Sequence, residues 1–137
     1  MTGNGNLLDG MAANPNALQA MEALDAVGRL DDAIHQKARL GIMSTLLALG
    51  EADFKLLKET LAFSDGNLST HIALLEERGY VVSRKEFVRR KPHTTYAPTE
   101  AGRTAFQGYL FALERIIRAA DTIRPLPAQP GAPEDKL

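Results

Sequence analysis

The chain has 137 residues, of which 45 % are apolar and 24 % are charged, and its formal net charge is −1. This length and balance are those of a globular protein with one modest core. No apolar run reaches the roughly 18 residues of a membrane span, and no basic and then apolar leader opens the chain. The absence of cysteine excludes disulfides and thiolate metal sites. We therefore expect a cytoplasmic protein with no membrane partner.

The charges are distributed unevenly along the chain. Between Arg78 and Arg103, seven Lys or Arg residues stand against two Glu residues, so this window carries +5 and the remainder −6. A local basic patch gives the electric field a direction, which matters more to a polyanion than the total charge. The total charge argues against a nucleic-acid partner, but its distribution favours one.

The first half of the chain is predicted to be helical. Residues 1–13 are rich in Gly and Asn and are expected to be disordered. A first helix follows, with Asn14 as its N-cap and Gly28 at its end. A second helix is expected to begin at an Asp31 N-cap and to stop at Gly50. Because this second helix is apolar on most of its faces, we expect it at the centre of the fold.

A short helix and a longer one come next, separated by a two-residue turn. The segment DFKLLKETL, residues 53–61, has the apolar spacing of a short helix. Ser64 is the expected N-cap of a longer helix over residues 64–78, and Gly79 is the expected end signal. Two helices joined by so short a turn have the layout of a helix-turn-helix.

The helix over residues 64–78 has two unlike faces. One face is an apolar stripe, whereas the other carries short and mostly hydrogen-bonding residues: Asn67, Ser69, Thr70 and Ala73. An ordinary surface helix would carry longer charged side chains there. Short side chains let a helix approach base edges in the DNA major groove, where Asn can pair with adenine and Ala or Thr methyl groups can contact thymine. The alternative is that these residues only cap the helix, a role that we expect for Ser64.

The pattern then changes to that of a β-hairpin. Residues 80–88 and 94–98 are predicted to be strands, with the loop RRKPH between them. A hairpin directly after a helix-turn-helix is a wing, here residues 88–94. Four residues of the wing are expected to contact the minor groove or the DNA backbone: Arg89, Arg90, Lys91 and His93. The alternative is a solvated, charged hairpin.

A long helix is predicted from a Thr99 cap to residue 123, and the Pro-rich tail over residues 124–137 is expected to be disordered. Its apolar residues recur at heptad spacing. Together with those of the first helix, they exceed what a small core needs, so we expect a dimer interface. The expected interface residues are Leu18, Met21, Leu24, Phe106, Leu110, Leu113 and Ile117. The alternative is that they pack within one subunit.

This order of elements predicts a mainly α fold with a small β-hairpin (α+β), a winged helix-turn-helix with flanking terminal helices over residues 14–123. The stretches LDDAIHQKARLGIMSTL, SDGNLSTHIALLEERGYV and FVRRKPHTTYAPTEAGRTAF together resemble the winged-helix transcriptional regulators of the MarR/ArsR-like group. The resemblance is strongest to the small winged helix DNA-binding domain family and spans residues 30–106. It implies a homodimeric DNA-binding repressor or activator. One departure is Gln36-Lys37, where the family usually has a proline.

Catalytic chemistry is not indicated. The three histidines, His35, His71 and His93, fall on different elements and are not expected to converge. No phosphate-binding Gly loop, nucleophile elbow or zinc signature is present, so we expect no enzymatic activity, no cofactor and no metal. We expect His71 to be partly buried and bonded to a backbone carbonyl, and Asp65 to turn toward the preceding helix.

The sequence thus predicts a homodimer that represses transcription by occupying a pseudo-palindromic site in double-stranded promoter DNA. An unidentified small-molecule effector would bind in an apolar cleft between the dimer helices and the DNA-binding core. Two alternatives stay open. One is a docking module whose basic wing meets an acidic protein, and the other is a sensor that binds DNA only with its ligand.

Overall fold

The computed structural model describes Asn14 and residues 16–123. The elements are α1 Ala17–Gly28, α2 Lys37–Leu49, β1 Ala52–Asp53, α3 Phe54–Leu61, α4 Asp65–Glu77, β2 Val81–Val88, β3 Lys91–Pro98 and α5 Glu100–Ile123. The three strands form one antiparallel sheet in the order β1-β3-β2. This confirms the predicted winged-helix fold. The disorder predicted for residues 1–13 and 124–137 falls outside the described residues.

The chain forms two compact units. The winged-helix unit covers Leu30–Phe111, and, among the described residues, the second unit combines residues 16–29 with residues 112–123. Helix α5 runs from the first unit into the second. Among the helices described, none is both long enough and apolar enough to cross a membrane.

The core of the winged-helix unit consists of aliphatic side chains from its helices. Helix α4 buries the stripe Leu68, Ile72 and Leu75, each at most 3 % exposed. Helices α2 and α3 contribute further fully buried residues: Ile42, Met43, Leu46 and Leu57. Burial stabilises each such side chain by about 1.5–3 kcal/mol. The packing therefore fixes the rotation of α4 and turns its opposite face to solvent.

Helix α2 begins five residues later than the sequence predicts. Asp31 accepts two backbone N–H groups of the next turn, at 2.8 and 3.1 Å, and it also accepts the Tyr80 hydroxyl. Its carboxylate therefore holds a turn and does not cap α2. Gln36 has an extended backbone and its side chain accepts the Arg39 N–H at 2.9 Å, so it is the actual N-cap. The predicted end of the helix at Gly50 is confirmed.

Helix α1 also begins later than predicted. Its N-cap position is Asn16. The side chain of Asn14 accepts the Asn16 N–H at 2.9 Å, so Asn14 stabilises a turn before the helix and does not cap the helix itself. Its last residue is Gly28, as predicted.

The turn between α3 and α4 is as short as predicted. Ala62 adopts a left-handed conformation with φ 59° and ψ 42°, which reverses the chain after α3. Ser64 then accepts the Asn67 N–H at 3.2 Å and caps α4. The predicted helix-turn-helix and its Ser64 cap are confirmed.

The turn of the wing is shorter than the predicted five-residue loop. Only Arg89 and Arg90 form it, both with positive φ, and Lys91, Pro92 and His93 already belong to β3. In a two-residue hairpin the pair next to the turn exchanges hydrogen bonds and the following pair does not. The nitrogen of Pro92 therefore points away from β2, and a proline fits the strand at no cost in ladder bonds.

Thr99 joins the base of the wing to α5. Its hydroxyl accepts the Gly102 N–H at 3.0 Å, which confirms the predicted cap, and donates to the Gly79 carbonyl at 2.6 Å. Its own N–H donates to the Tyr80 carbonyl at 3.0 Å. A Cβ at Gly102 would lie 2.3 Å from that same Tyr80 oxygen, so the close approach of the two segments requires glycine.

We predict opposite effects of alanine at two glycines of α5. Gly102→Ala should lower the free energy of unfolding by about 1–3 kcal/mol, because a backbone oxygen must move. Gly108→Ala is the matched control: a Cβ there meets nothing within 4 Å. It should raise the free energy of unfolding by about 0.5–1 kcal/mol through helix propensity. Urea denaturation measures both, and equal stability of the two variants would contradict the proposed close approach.

Candidate nucleic-acid interface

The exposed face of α4 carries all four residues that the sequence singles out for base reading. Asn67, Ser69, Thr70 and Ala73 are exposed, opposite the buried stripe. The Thr70 hydroxyl donates to the Gly66 carbonyl at 2.9 Å, which leaves its oxygen lone pairs and methyl group facing outward. Within residues 16–120, no protein group bonds the side chains of Asn67 or Ser69. These four residues, which we call the neutral face, are therefore uncharged and free to bond a ligand, whereas the exposed carboxylates of Glu76 and Glu77 follow them in the last turn of α4.

Asp65 would place a negative charge beside this face, but it is paired. Its Oδ1 lies 2.7 Å from Lys58 Nζ on α3, which confirms that Asp65 turns toward the preceding helix. A surface pair of this kind contributes at most about 1 kcal/mol to stability. Its larger effect is to offset a carboxylate that would otherwise repel a phosphate.

His71 connects α4 to α2. Its Nδ1 accepts a hydrogen bond from Arg39 Nη1 at 3.1 Å, and Arg39 Nε donates to the Ala33 carbonyl at 2.6 Å. The partner of His71 is thus a guanidinium group, which corrects the predicted backbone carbonyl. Burial and, to a lesser extent, the Arg39 charge lower the pKa of His71 below its usual value. A neutral imidazole is what this contact requires, because only an unprotonated Nδ1 can accept from arginine.

The basic residues of the wing divide into two groups. Arg89 and Arg90 form the turn, Lys91 follows them, and all three are exposed. His93 lies instead on β3, half-buried, with its Nε2 3.6 Å from Asp53 Oδ2. His93 therefore belongs to the predicted wing but lies behind its turn, opposite Glu86, and not at the tip. We call Arg89, Arg90 and Lys91 the wing tip.

The wing tip is an unpaired cluster of positive charge. In the described part of the chain, none of its three side chains has a carboxylate within salt-bridge distance. Arg84, lower on β2, differs because its Nη2 lies 3.4 Å from Glu51 Oε1. Three cations without partners at the end of a hairpin attract a polyanion strongly.

The structure also shows a cleft that the sequence does not reveal. It has a volume of about 480 Å³ and lies within the winged-helix unit, where the start of α2 meets the α3–α4 turn and α4. Lys37, Phe63, Asn67 and His71 are among its lining residues. These residues lie far apart in sequence, so no local pattern connects them. Exposed Lys37 is thereby a further cation beside the neutral face of α4.

We predict that stability falls on acidification because of His71. A folded-state pKa below the unfolded value of about 6.5 means that the unfolded chain binds the proton more readily. The contribution is complete above pH 6.5 and is lost as the pH falls below it. His71→Asn keeps an acceptor near Nδ1 but does not titrate. Between about pH 8 and about pH 5.5, the thermal midpoint should fall further in wild type than in this variant. An equal fall in both proteins would contradict the role of His71.

Comparison with known proteins agrees with this geometry. Residues 38–117 match the family described as "Winged helix DNA-binding domain". An uncharacterised protein of Methanocaldococcus jannaschii is 36 % identical over 78 residues, which are 57 % of this chain and 85 % of that protein.

Solved structures show the same relationship. The transcriptional regulator homologue from Pyrococcus horikoshii OT3 is 31 % identical with a TM-score of 0.66, and the match covers 73 % of this chain and 98 % of that one. BpsR of Bordetella bronchiseptica shares the fold at 14 % identity, with a TM-score of 0.55 over 88 % of this chain and 85 % of that one. The chain belongs to the winged helix DNA-binding domain family, a class of DNA-binding transcriptional regulators that are not enzymes.

Proposed function

We propose that this protein is a homodimeric, sequence-specific regulator of transcription that binds double-stranded DNA. Helix α4 enters the major groove, and the wing tip reaches the minor groove or the flanking backbone. The observation that carries this proposal is the pairing, in one unit, of a neutral hydrogen-bonding helix face with an unpaired cationic hairpin tip. Membership of a DNA-binding family supports the coarse statement, and the residue roles below are our proposal.

Helix α4 supplies the sequence discrimination in this proposal. Asn67, the third residue of α4, makes a bidentate pair with adenine in this proposal. Ser69 and Thr70 bond base edges or phosphates, and the methyl groups of Thr70 and Ala73 contact thymine. Because these side chains are short and uncharged, they allow the helix backbone to approach the bases and add little affinity for arbitrary sequence.

The wing tip supplies most of the electrostatic affinity. Arg89 and Arg90 suit a narrow minor groove, whose negative potential attracts arginine, and Lys91 suits a phosphate. His93 has a lesser role, because it faces Asp53 and is half-buried. The salt slope is the slope of the logarithm of the binding constant against the logarithm of the salt concentration. Each phosphate that a cation neutralises makes this negative slope steeper by about 0.9.

Helices α1 and α5 supply the dimer interface in this proposal, with Phe106 and Leu110 in the winged-helix unit and the other residues in the second unit. The two helical segments of the second unit are joined by Arg115, which lies 3.2 Å from Asp25 and 3.8 Å from Glu22 on α1. Apolar side chains nevertheless stay exposed on α1: Leu18 at 65 %, Met21 at 44 % and Leu24 at 72 %. On α5, Leu110 and Ile117 are 48 % and 51 % exposed, whereas Phe106 and Leu113 are half-buried. A two-fold contact through such surfaces would present two wings and two α4 helices to a pseudo-palindromic site.

Repression follows most simply from this arrangement, because a dimer bound across a promoter excludes other proteins from it.

Control by a small molecule is the second candidate function. The DNA binding of BpsR is regulated by 6-hydroxynicotinic acid, and BpsR has the same fold as this chain. In this chain, the cleft lined by Asn67 and His71 is the feature that favours control by a small molecule. A ligand seated there would contact a proposed base-reading residue and so compete with DNA.

We predict two separable losses of DNA binding. In fluorescence anisotropy on duplexes tiled across the upstream region of its own gene, wild type should prefer one fragment. Asn67→Ala should reduce the preference for that fragment by about 1–3 kcal/mol without changing the salt slope. The double variant Arg89→Ala/Arg90→Ala should weaken binding to all fragments and flatten the salt slope by about 2.

Arg84→Ala is the matched control for the wing variant, because it removes an arginine of β2 that is already paired with Glu51. It should retain nearly the full salt slope. If wild type shows no preference among fragments at any salt concentration, the proposal fails. Salt-sensitive binding to an acidic protein would then favour the docking module, and binding restored by a small molecule would favour the ligand-dependent sensor.

We also predict that charge in the exposed apolar seam of α5 abolishes the dimer. Leu110→Glu/Ile117→Glu should sediment as a monomer at concentrations where wild type is a dimer, because unpaired carboxylates would be buried at the contact. Gln107→Glu adds a charge to an exposed polar position of the same helix and should leave the dimer intact. Analytical ultracentrifugation measures both. A wild-type monomer at all concentrations would contradict this part of the proposal.

A further inference from the structure

Among the described residues, Phe87 is the most exposed large apolar residue, with 77 % of its surface accessible to solvent. It lies on β2, opposite Pro92 of β3, and the next pair, Val88 with Lys91, closes the arginine turn. Because paired residues project from the same face of a hairpin, Phe87 and Pro92 form one small apolar surface directly behind the wing tip. We call these two residues the wing shoulder.

The two arginines of the turn, next to the wing shoulder, adopt a backbone conformation that is unfavourable for arginine. Arg89 and Arg90 have φ of 55° and 69°, values that residues with a Cβ adopt rarely. Such turns ordinarily take Asn-Gly, which adopts them without strain. Uncommon backbone conformations of this kind concentrate where a ligand is bound. The tip therefore retains cationic side chains at a conformational cost, and the exposed ring lies immediately behind them.

We propose that the wing shoulder packs against the deoxyribose walls of the DNA minor groove when the arginines of the wing tip enter it. The inference rests on the proposed function and adds a salt-independent part to the wing contact. Strand rise places the Phe87 backbone about 7 Å behind the turn. The minor groove is about 6 Å wide and about 7.5 Å deep. The arginine side chains extend ahead of the turn into the groove, so the ring lies outside the groove, where it meets the sugar C–H groups along the edge of the groove wall.

The charge around the shoulder favours DNA as its occupant over a second apolar protein surface. Within four residues of Phe87, the described structure has four cations without an ion-pair partner, Lys85, Arg89, Arg90 and Lys91, against one such carboxylate, that of Glu86. An apolar interface would have to desolvate this net positive charge without compensation. The sugar wall of a groove offers an apolar surface flanked by phosphates, which complements a ring flanked by arginines. The position of the ring behind the tip also distinguishes this contact from a wedge inserted between base pairs.

The test is anisotropy titration of the preferred fragment with Phe87→Ala over a salt series. We expect affinity to fall by about fivefold to 20-fold, which corresponds to partial burial of an aromatic side chain, with the salt slope of wild type retained. Phe87→Leu should recover most of the affinity. Val82→Ala is the matched control, because Val82 is an exposed apolar residue at the other end of the same strand, 53 % exposed. It should bind as wild type does.

The outcomes separate this inference from the proposed function. Absence of specific DNA binding by wild type would remove the proposed function itself. Specific binding by wild type together with unchanged affinity of Phe87→Ala would overturn the shoulder contact alone. A reduced salt slope, a lowered thermal midpoint or a changed oligomeric state in Phe87→Ala would also overturn it. Each of these would show that the ring acts through the turn, the fold or a contact between copies.

Discussion

The burial of one stripe of α4 is the interaction on which the rest of the structure depends. Leu68, Ile72 and Leu75 leave almost no surface to solvent, and they meet a core supplied mainly by α2 and α3. A helix held on one side by close packing cannot rotate without exposing apolar surface or opening cavities. The rotation of α4 is thereby fixed, and the exposure of the neutral face follows from it, because side chains opposite a buried stripe face water.

A set of hydrogen bonds at the end of α4 then fixes the base of the wing. Thr99 bonds the carbonyls of Gly79 and Tyr80, and the Tyr80 hydroxyl donates to Asp31. That last bond is the main reason why the pKa of Tyr80 is raised, so the phenol keeps its proton. Both strands of the hairpin leave from this junction, since Val81 pairs with Pro98. The wing is therefore anchored to the helix-turn-helix at one end and extends into solvent at the other.

How much of this could be read from the sequence depends on the distance over which each interaction acts. The helical stripe, the Ser64 and Thr99 caps and the turn after α3 are local, and the sequence predicts them. The start of α2 depends on Asp31 meeting Tyr80, 49 positions away, so the local cap signal misleads. Strand β1 has two residues and exists only through its pairing with β3. The bond of Arg39 with His71 spans 32 positions and leaves no pattern in sequence.

The separation of neutral α4 from cationic wing has a consequence for selectivity. Outside the basic window the chain carries a net charge of −6, so the positive charge that would attract DNA is concentrated in the window that contains the wing. Of the groups near α4, Asp65 is offset by Lys58, and His71 is held neutral beside Arg39. In the proposed binding mode, attraction to phosphate therefore comes mainly from the wing and weakens with salt, whereas discrimination between sequences comes from uncharged contacts and does not. In this mode, the protein gains little affinity from arbitrary DNA, because the wing tip is small and the four residues of the neutral face carry no charge.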